Sequence, residues 1–267
     1  MIKFKSLSSG SCGNCYFLGS FDESGSCTAG ILIDAGVSPR RLRKELAAEG
    51  LGFGDFSAML ITHDHHDHIR SLGSYCKHLG IPVWSTPELA RALTHHWVAG
   101  EHLPACSRTL GDGWNEIVPG RISARCFIVP HDASQTVGYA ILVDGHRYVH
   151  ITDCGRMTPE ALNWCRQAEV LTLESNYDPE MLRNGPYPKE LQDRIRGGHG
   201  HLSNGECAEA VRECMHDGLQ WIFLCHLSEH NNTPELALAS AKAAAGDRAR
   251  VIALPRESAS QLFSLYL

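Results

Sequence analysis

The seven residues Thr62-His63-Asp64-His65-His66-Asp67-His68 place three imidazoles, those of His63, His65 and His68, and the Asp67 carboxylate within six positions. Neutral imidazole nitrogen and carboxylate oxygen suit zinc, manganese or iron. A mixed set that leaves a coordination position for water belongs to catalytic rather than structural metal sites. His63 and His65 have the alternate spacing that points two side chains to one side of an extended chain, after which a turn starts a helix with Asp67 and His68. Further donors stand alone downstream: His131, Asp153, Glu174 and His226 each follow a short apolar run. Sixteen histidines in 267 residues exceed what packing needs, because imidazole is a poor core group.

The runs that end in these donors define the frame. Residues 57–62 lead to His63, 125–130 to His131, 147–152 to Asp153, 170–173 to Glu174 and 221–225 to His226. Five strands thus deliver a ligand-type residue at their C-terminal ends, where open α/β sheets place their sites. Residues 2–7, 16–19 and 30–34 read as a strand meander. A first helix starts at Ser38 with Pro39 in its first turn and stops at Gly50. Further helices are expected over 67–78, 87–96, 159–167, 188–196, 203–216 and 234–245, and Asp144-Gly145 between two strand-like runs reads as a tight hairpin. Such interleaving predicts two sheets packed face to face with helices outside. No repeat or linker divides the chain, so residues 1–267 read as a single domain.

With 43% hydrophobic and 20% charged residues the composition is that of a soluble globular protein, which excludes disorder, collagen and coiled coil. A net charge of −6 excludes a global positive field, so any nucleic-acid contact must be local. No stretch approaches the roughly 18 apolar residues of a membrane span. The opening MIKFKSLSSGSCGN lacks the apolar region of a signal peptide, so a cytoplasmic protein without membrane contact is expected. Eleven scattered cysteines then read as thiols. The Cys12/Cys15 pair has neither a βαβ context nor a partner pair, and reads as loop and strand thiols.

The ordered set His63-x-His65-x-Asp67-His68, His131, Asp153 and His226 resembles the metal ligands of the metallo-β-lactamase fold superfamily, over nearly the whole chain. Leu32-Ile33-Asp34-Ala35-Gly36 is similar to that family's early Asp-x-Gly element. The resemblance implies an α/β fold, a four-layer αββα sandwich of two mixed sheets flanked by helices. It implies two divalent metal ions, zinc, manganese or iron, with His63, His65 and His131 on one, Asp67, His68 and His226 on the other, and Asp153 between them. Two ions roughly 3.5–4 Å apart are a device for hydrolysis. Asp34 and Asp64 are placed around this set rather than in it. Asp64 either orients a ligand imidazole or is solvated, and His66 is a bystander. Some secreted members use a cysteine ligand, but here Asp153, not Cys154, is in register.

The fold hosts many hydrolases, so function rests on additional residues. Leu173-Glu174-Ser175-Asn176-Tyr177-Asp178 and Gly198-His199-Gly200-His201-Leu202-Ser203-Asn204 resemble the phosphodiesterase branch, as in the transfer-RNA 3′ processing nucleases. There an acidic residue and a histidine that is not a ligand handle a proton. The match makes Glu174 the partner of His201, which would protonate a 3′-oxygen leaving group. Asp67, Glu174 and His201 are thus the candidate catalytic residues. The order of these segments, with residues 8–14, 184–189 and 226–232, narrows the resemblance to the bacterial YycJ/WalJ group. That group is regarded as 5′ to 3′ DNA exonucleases linked to mismatch repair, and Cys12 and His66 depart from its pattern. DNA ends are the expected substrate; a lactonase, thioesterase or small cyclic phosphodiesterase on the same core is the alternative. A redox di-iron protein is disfavoured by His65, where that type has glutamate, and the large inserted domain of the RNA-processing members has no room.

Four residues are candidate substrate contacts. Ser203 and Asn204 open a helix at a Ser203-x-x-Glu206 capping box, whose positive end can receive a phosphate. Ser228 and Asn231 either hold a phosphate oxygen or cap their own loop. The Gly-rich loop 8–14 either approaches a phosphate or is a hairpin turn. Two basic groups, Arg40, Arg41, Arg43 and Lys44, and Arg183, Lys189, Arg194 and Arg196, either track a strand backbone or are solvated.

Overall fold

Several apolar runs are buried along their whole length, which a strand with one solvated face cannot be. In the computed structural model, which describes residues 1–267, the strands are β1 (Ile2–Gly10), β2 (Gly13–Phe21), β3 (Cys27–Ile33), β4 (Ala58–Leu60), β5 (Val83–Ser85), β6 (Ser107–Thr109) and β7 (Asn115–Val118). They continue as β8 (Ile122–Ile128), β9 (Val137–Val143), β10 (His146–Ile151), β11 (Val170–Glu174), β12 (Trp221–Cys225), β13 (Arg250–Ala253) and β14 (Phe263–Leu265). Two seven-stranded mixed sheets result, ordered β14-β1-β2-β3-β4-β5-β6 and β13-β12-β11-β10-β9-β8-β7.

The inner faces of the two sheets share one core. Phe4, Tyr16 and Ile33 of the first pack with Tyr139, Tyr148 and Phe223 of the second, and the Phe4 and Phe223 rings lie 4.6 Å apart. Leu42, Leu46, Leu72, Leu89 and Leu103 bring four helices, Pro39–Ala47, Leu72–Leu79, Pro87–His95 and Leu103–Cys106, onto the outer face of the first sheet. Trp164, Val211 and Ala241 bring helices Pro159–Cys165, Asn204–Cys214 and Pro234–Ala245 onto that of the second. This is the expected αββα order. All eleven cysteines are free thiols, and no helix is long and apolar enough to cross a membrane.

Four helices start where a hydroxyl precedes proline: Ser38, Thr86, Thr158 and Thr233 each accept a hydrogen bond from the third residue on. The same signal at Asp178-Pro179 starts helix Pro179–Asn184, which the sequence reading passed over. The helix expected over 67–78 is broken into His66–Ile69 and Leu72–Leu79. The break has a cause in tertiary pairing. Ala35 N donates to His68 O and Ser71 N to Ala35 O, so the short ligand-bearing helix is tied to the turn after β3. That turn needs Gly36, since a Cβ there would lie 1.8 Å from the Asp67 carbonyl oxygen.

Candidate metal centre

Strands β8, β10, β11 and β12 run in one direction, as do β3 and β4 in the other sheet, so their C-terminal ends meet at one edge of the sandwich. Asp34 follows β3, His63 follows β4, His131 lies beyond β8, Asp153 beyond β10, Glu174 ends β11 and His226 follows β12. Asp34, Asp153 and His226 adopt left-handed backbone, with φ of 62°, 49° and 55°. For residues other than glycine this costs on the order of 1 kcal/mol each and persists where the surroundings enforce it. Here it occurs at the points where strands hand their last side chains to the edge.

Each imidazole has one nitrogen tied to the protein and the other turned inward. His68 Nδ1 lies 2.7 Å from Asp34 Oδ2, His131 Nδ1 2.7 Å from the Gly200 carbonyl and His65 Nε2 3.2 Å from the Asp132 carbonyl. Thr62 Oγ1 sits 2.9 Å from Asp34 Oδ2 and 3.0 Å from His63 Nδ1. The hydroxyl donates to the carboxylate and accepts from His63, which assigns that ring's tautomer through the hydrogen-bond network. His226 is held on its Nδ1 side by Asn176 Nδ2, 3.2 Å away, and Glu174 Oε1, 3.3 Å away.

The inward atoms form overlapping groups able to hold cations: His63, His65 and His131; Asp67, His68 and His226; and Asp153 within reach of both. Asp153 Oδ2 is 3.1 Å from His68 Nε2 and its Oδ1 is 3.6 Å from His131 Nε2, while His226 Nε2 is 3.4 Å from Asp67 Oδ2. Two features of the donor set fit metal ions. His63 Nε2 is buried without a hydrogen-bond partner, a lone pair whose burial costs about 1–3 kcal/mol. His65 Nδ1 and His131 Nε2 face each other at 3.3 Å, although the other nitrogen of each already donates to a carbonyl, so two lone pairs converge. A cation satisfies all three. The carboxylates make the same demand: although burial opposes charge on His68, Asp153, Asp67 and Asp34 push it up to about 10. Bound metal ions would supply that positive charge and leave the imidazoles neutral.

Beside this set lies the pair expected at Glu174 and His201. Glu174 is fully buried and accepts from His201 Nδ1 at 2.7 Å, Cys154 N at 2.9 Å and Leu202 N at 3.0 Å. Burial raises its pKa, but the His201 charge and hydrogen bond outweigh it and hold the carboxyl below its ordinary value. For His201 burial works against protonation, and Glu174, then Asp153, overcome it and move the ring above the usual imidazole value. His201 remains 21% exposed and lines the cleft with His65, Asp67, His131, Asp153 and His226.

Residues 30–220 match the family described as Beta-lactamase superfamily domain. The chain belongs to the metallo-β-lactamase superfamily. As a hydrolase of this superfamily it is 31% identical over 236 residues, 88% of this chain and 86% of the relative, to exodeoxyribonuclease YycJ of Bacillus anthracis. It is 30% identical over 236 residues, 88% of this chain and 85% of the relative, to exodeoxyribonuclease WalJ of Streptococcus pneumoniae. The crystal structure of the metallo-β-lactamase fold protein YhfI of Bacillus subtilis superposes with a TM-score of 0.70 at 17% identity, covering 97% of this chain and 98% of that one. Zinc-bound PqqB of Methylobacterium extorquens superposes with 0.68 at 20% identity, covering 97% and 99%. Those two likenesses show the fold alone.

Around the metallo-β-lactamase ligand set several expectations are corrected. Asp64 reaches no ligand imidazole; it accepts from Ser134 N at 3.1 Å and from the Ser134 hydroxyl, pinning the loop that follows His131. Asn204 is buried and spent on Ser175 and Asn232, and Asn231 is buried against Ser228, so neither faces the cleft. Ser203 is closed in its box with Glu206, and Asn204 N donates to the Tyr177 carbonyl, so that helix end is occupied by its own chain rather than open to a phosphate. Of the four expected substrate contacts only Ser228 lines the cleft. The Gly-rich loop is the tip of the β1–β2 hairpin, and of its residues Ser11 reaches the cleft. Cys154 turns its Sγ to the Arg156 carbonyl. Three contributors went unassigned at the sequence level: Asn14, whose amide lies 3.0 Å from Asp67 Oδ2; Asn176; and Asp132, whose side chain pairs with Arg194 on the cleft wall.

Proposed function

We propose that this chain is a dinuclear metal-dependent phosphodiesterase that releases nucleotides from DNA ends, in the 5′ to 3′ direction, and serves DNA repair such as mismatch correction. The observation that carries the reading is the buried Glu174 carboxylate 2.7 Å from His201, at a cleft lined by the candidate ligands. The relatives named exodeoxyribonucleases at about 30% identity support the DNA substrate.

In this reading His63, His65 and His131 would hold one divalent ion, zinc, manganese or iron, Asp67, His68 and His226 would hold the other, and Asp153 would serve both. Such ions lower the pKa of water and neutralise phosphate charge. The chain's own residues do the rest. Glu174 fixes His201 through Nδ1, which leaves Nε2 turned to the cleft, and against the effect of burial its carboxylate favours a proton on the ring. From there His201 delivers its proton to the departing 3′-oxygen, while Ser228 and Arg194 on the walls face the strand.

The test is an assay of purified protein, with and without added manganese or zinc, on end-labelled single- and double-stranded DNA and RNA with defined termini. Release of mononucleotides from the 5′ end of DNA is the expected result. Absence of release from every substrate, together with turnover of a lactone, a thioester or a cyclic phosphodiester, would overturn the proposal in favour of another hydrolase on this fold.

A further inference from the structure

Trp97 is 83% exposed, more than any other large apolar side chain of the protein. Indole is usually the last group left to water, because its area makes its exposure expensive. Its setting is equally specific. The Trp97 ring lies 5.7 Å from that of His66 with the planes 12° apart, and 6.0 Å from that of His96 with the planes 25° apart. His66 is the residue before the candidate ligand Asp67 and opens the same short helix. The exposed indole therefore lies between two imidazoles, exposed His66 at the candidate ligand turn and half-buried His96 in its own loop.

The array is braced rather than loose. Val98 N donates to His96 Nδ1 at 3.2 Å, and the Val98 carbonyl lies so close to Gly73 that a Cβ there would come within 2.2 Å of it. The loop that carries Trp97 is thus seated on the start of helix Leu72–Leu79, directly behind the ligand turn.

We propose that Trp97, flanked by His66 and His96, is a stacking platform for an unpaired base of the substrate strand next to the bond being cut. The inference rests on the phosphodiesterase reading and adds to it how the strand is gripped. Every base has a π-face, so an aromatic platform holds nucleic acid without regard to sequence, which suits an enzyme that must accept each nucleotide in turn. The global charge of −6 leaves no broad basic surface to do that work. An apolar protein partner fits less well, because polar histidines border the indole and His66 adjoins Asp67, which lines the cleft.

The experiment compares the full-length wild type with Trp97→Ala, Trp97→Phe and, as a surface control distant in sequence, Trp114→Ala. Each is assayed on a single-stranded oligodeoxynucleotide and on the same oligonucleotide carrying abasic residues near its 5′ end. Stacking predicts a KM increase of roughly tenfold for Trp97→Ala on the normal strand, with Trp97→Phe close to wild type. On the abasic strand wild type and Trp97→Ala should converge. Wild type that degrades DNA, with Trp97→Ala matching it on both strands, overturns the platform and leaves the phosphodiesterase standing. Wild type that neither cleaves nor, by fluorescence anisotropy, binds either oligonucleotide overturns both.

Discussion

His201 and Glu174 differ from the metal ligands in that chemistry, not metal content, should report their loss. General acids contribute typically about 10²–10⁴ in rate. His201→Ala is therefore expected to lower kcat on DNA by about two to four orders of magnitude at unchanged metal stoichiometry, measured by atomic emission. On a 4-nitrophenyl phosphodiester the leaving phenolate needs no proton, and the deficit should largely vanish; an equal deficit on both substrates would remove the proton-donor role. Asn14 predicts the opposite pattern. Its amide bonds Asp67 Oδ2 and the Gly10 carbonyl, and a lost partner of this kind lowers metal affinity about 10–100-fold. Asn14→Ala should show that loss in a chelator competition, with kcat recovering at saturating metal. The ligand candidates were legible in the sequence because each either ends an apolar run or lies in the His63–His68 cluster. Asn14 was not, because its partner lies 53 positions away and nothing in a Gly-rich hairpin marks one amide as aimed at a carboxylate.

At the scale of elements, the long strands and the helices that open on Ser-Pro or Thr-Pro were legible, since nine residues of β1 or a hydroxyl-proline start carry enough signal to stand alone. Strands β5, β6 and β14, of three residues each, carry too little alternation and exist because a neighbouring strand pairs with them. The break after Ile69 was equally hidden, being set by the distant Ala35. β10 also carries a polar side chain into the core between the sheets. His150 is fully buried beside Tyr16 and Tyr148, with Nε2 unpartnered. Burial first, then the His68 charge, lower its pKa to about 3, against about 6.5 in an unfolded chain. Between those values the unfolded state holds a proton that the folded state does not. Stability from this group is therefore full above about pH 6.5 and falls with decreasing pH, by up to about 1.4 kcal/mol per unit. Urea unfolding in chelator at pH 7 and pH 5 should show His150→Phe losing about 2 kcal/mol less than wild type over that interval. Equal losses would refute the assignment.

On the scale of the whole molecule the proposed function asks how a chain of net charge −6 would hold a polyanion. The basic groups singled out in the sequence are mostly committed elsewhere: Arg41 to the carbonyls of Leu7 and Glu257, Arg43 to the Phe53 ring, Arg183 to Glu180, and Lys189 and Arg196 to Asp193. Arg194 alone among the lysines and arginines lines the cleft, held against Asp132, whose carboxylate also stands 3.5 Å from His131 Nε2. Binding that depends on one arginine and the metal ions should carry a shallow salt dependence, because each neutralised phosphate adds about 0.7 to the slope of log K against log salt for a single strand. Measured by anisotropy in the His201→Ala background, which keeps the metals but slows turnover, the slope should stay near 1–2 in magnitude, roughly one to three phosphate contacts. Arg194→Ala should reduce it by about 0.7 and weaken binding evenly across sequences, since a phosphate contact carries no sequence information. A slope of several units that survives Arg194→Ala would place the strand on a basic surface away from this edge. The shallow slope would follow from the fold itself, which gathers the candidate ligands from strands of both sheets at one edge, where on the proposed reading metal ions rather than a field of side chains would meet an anionic strand.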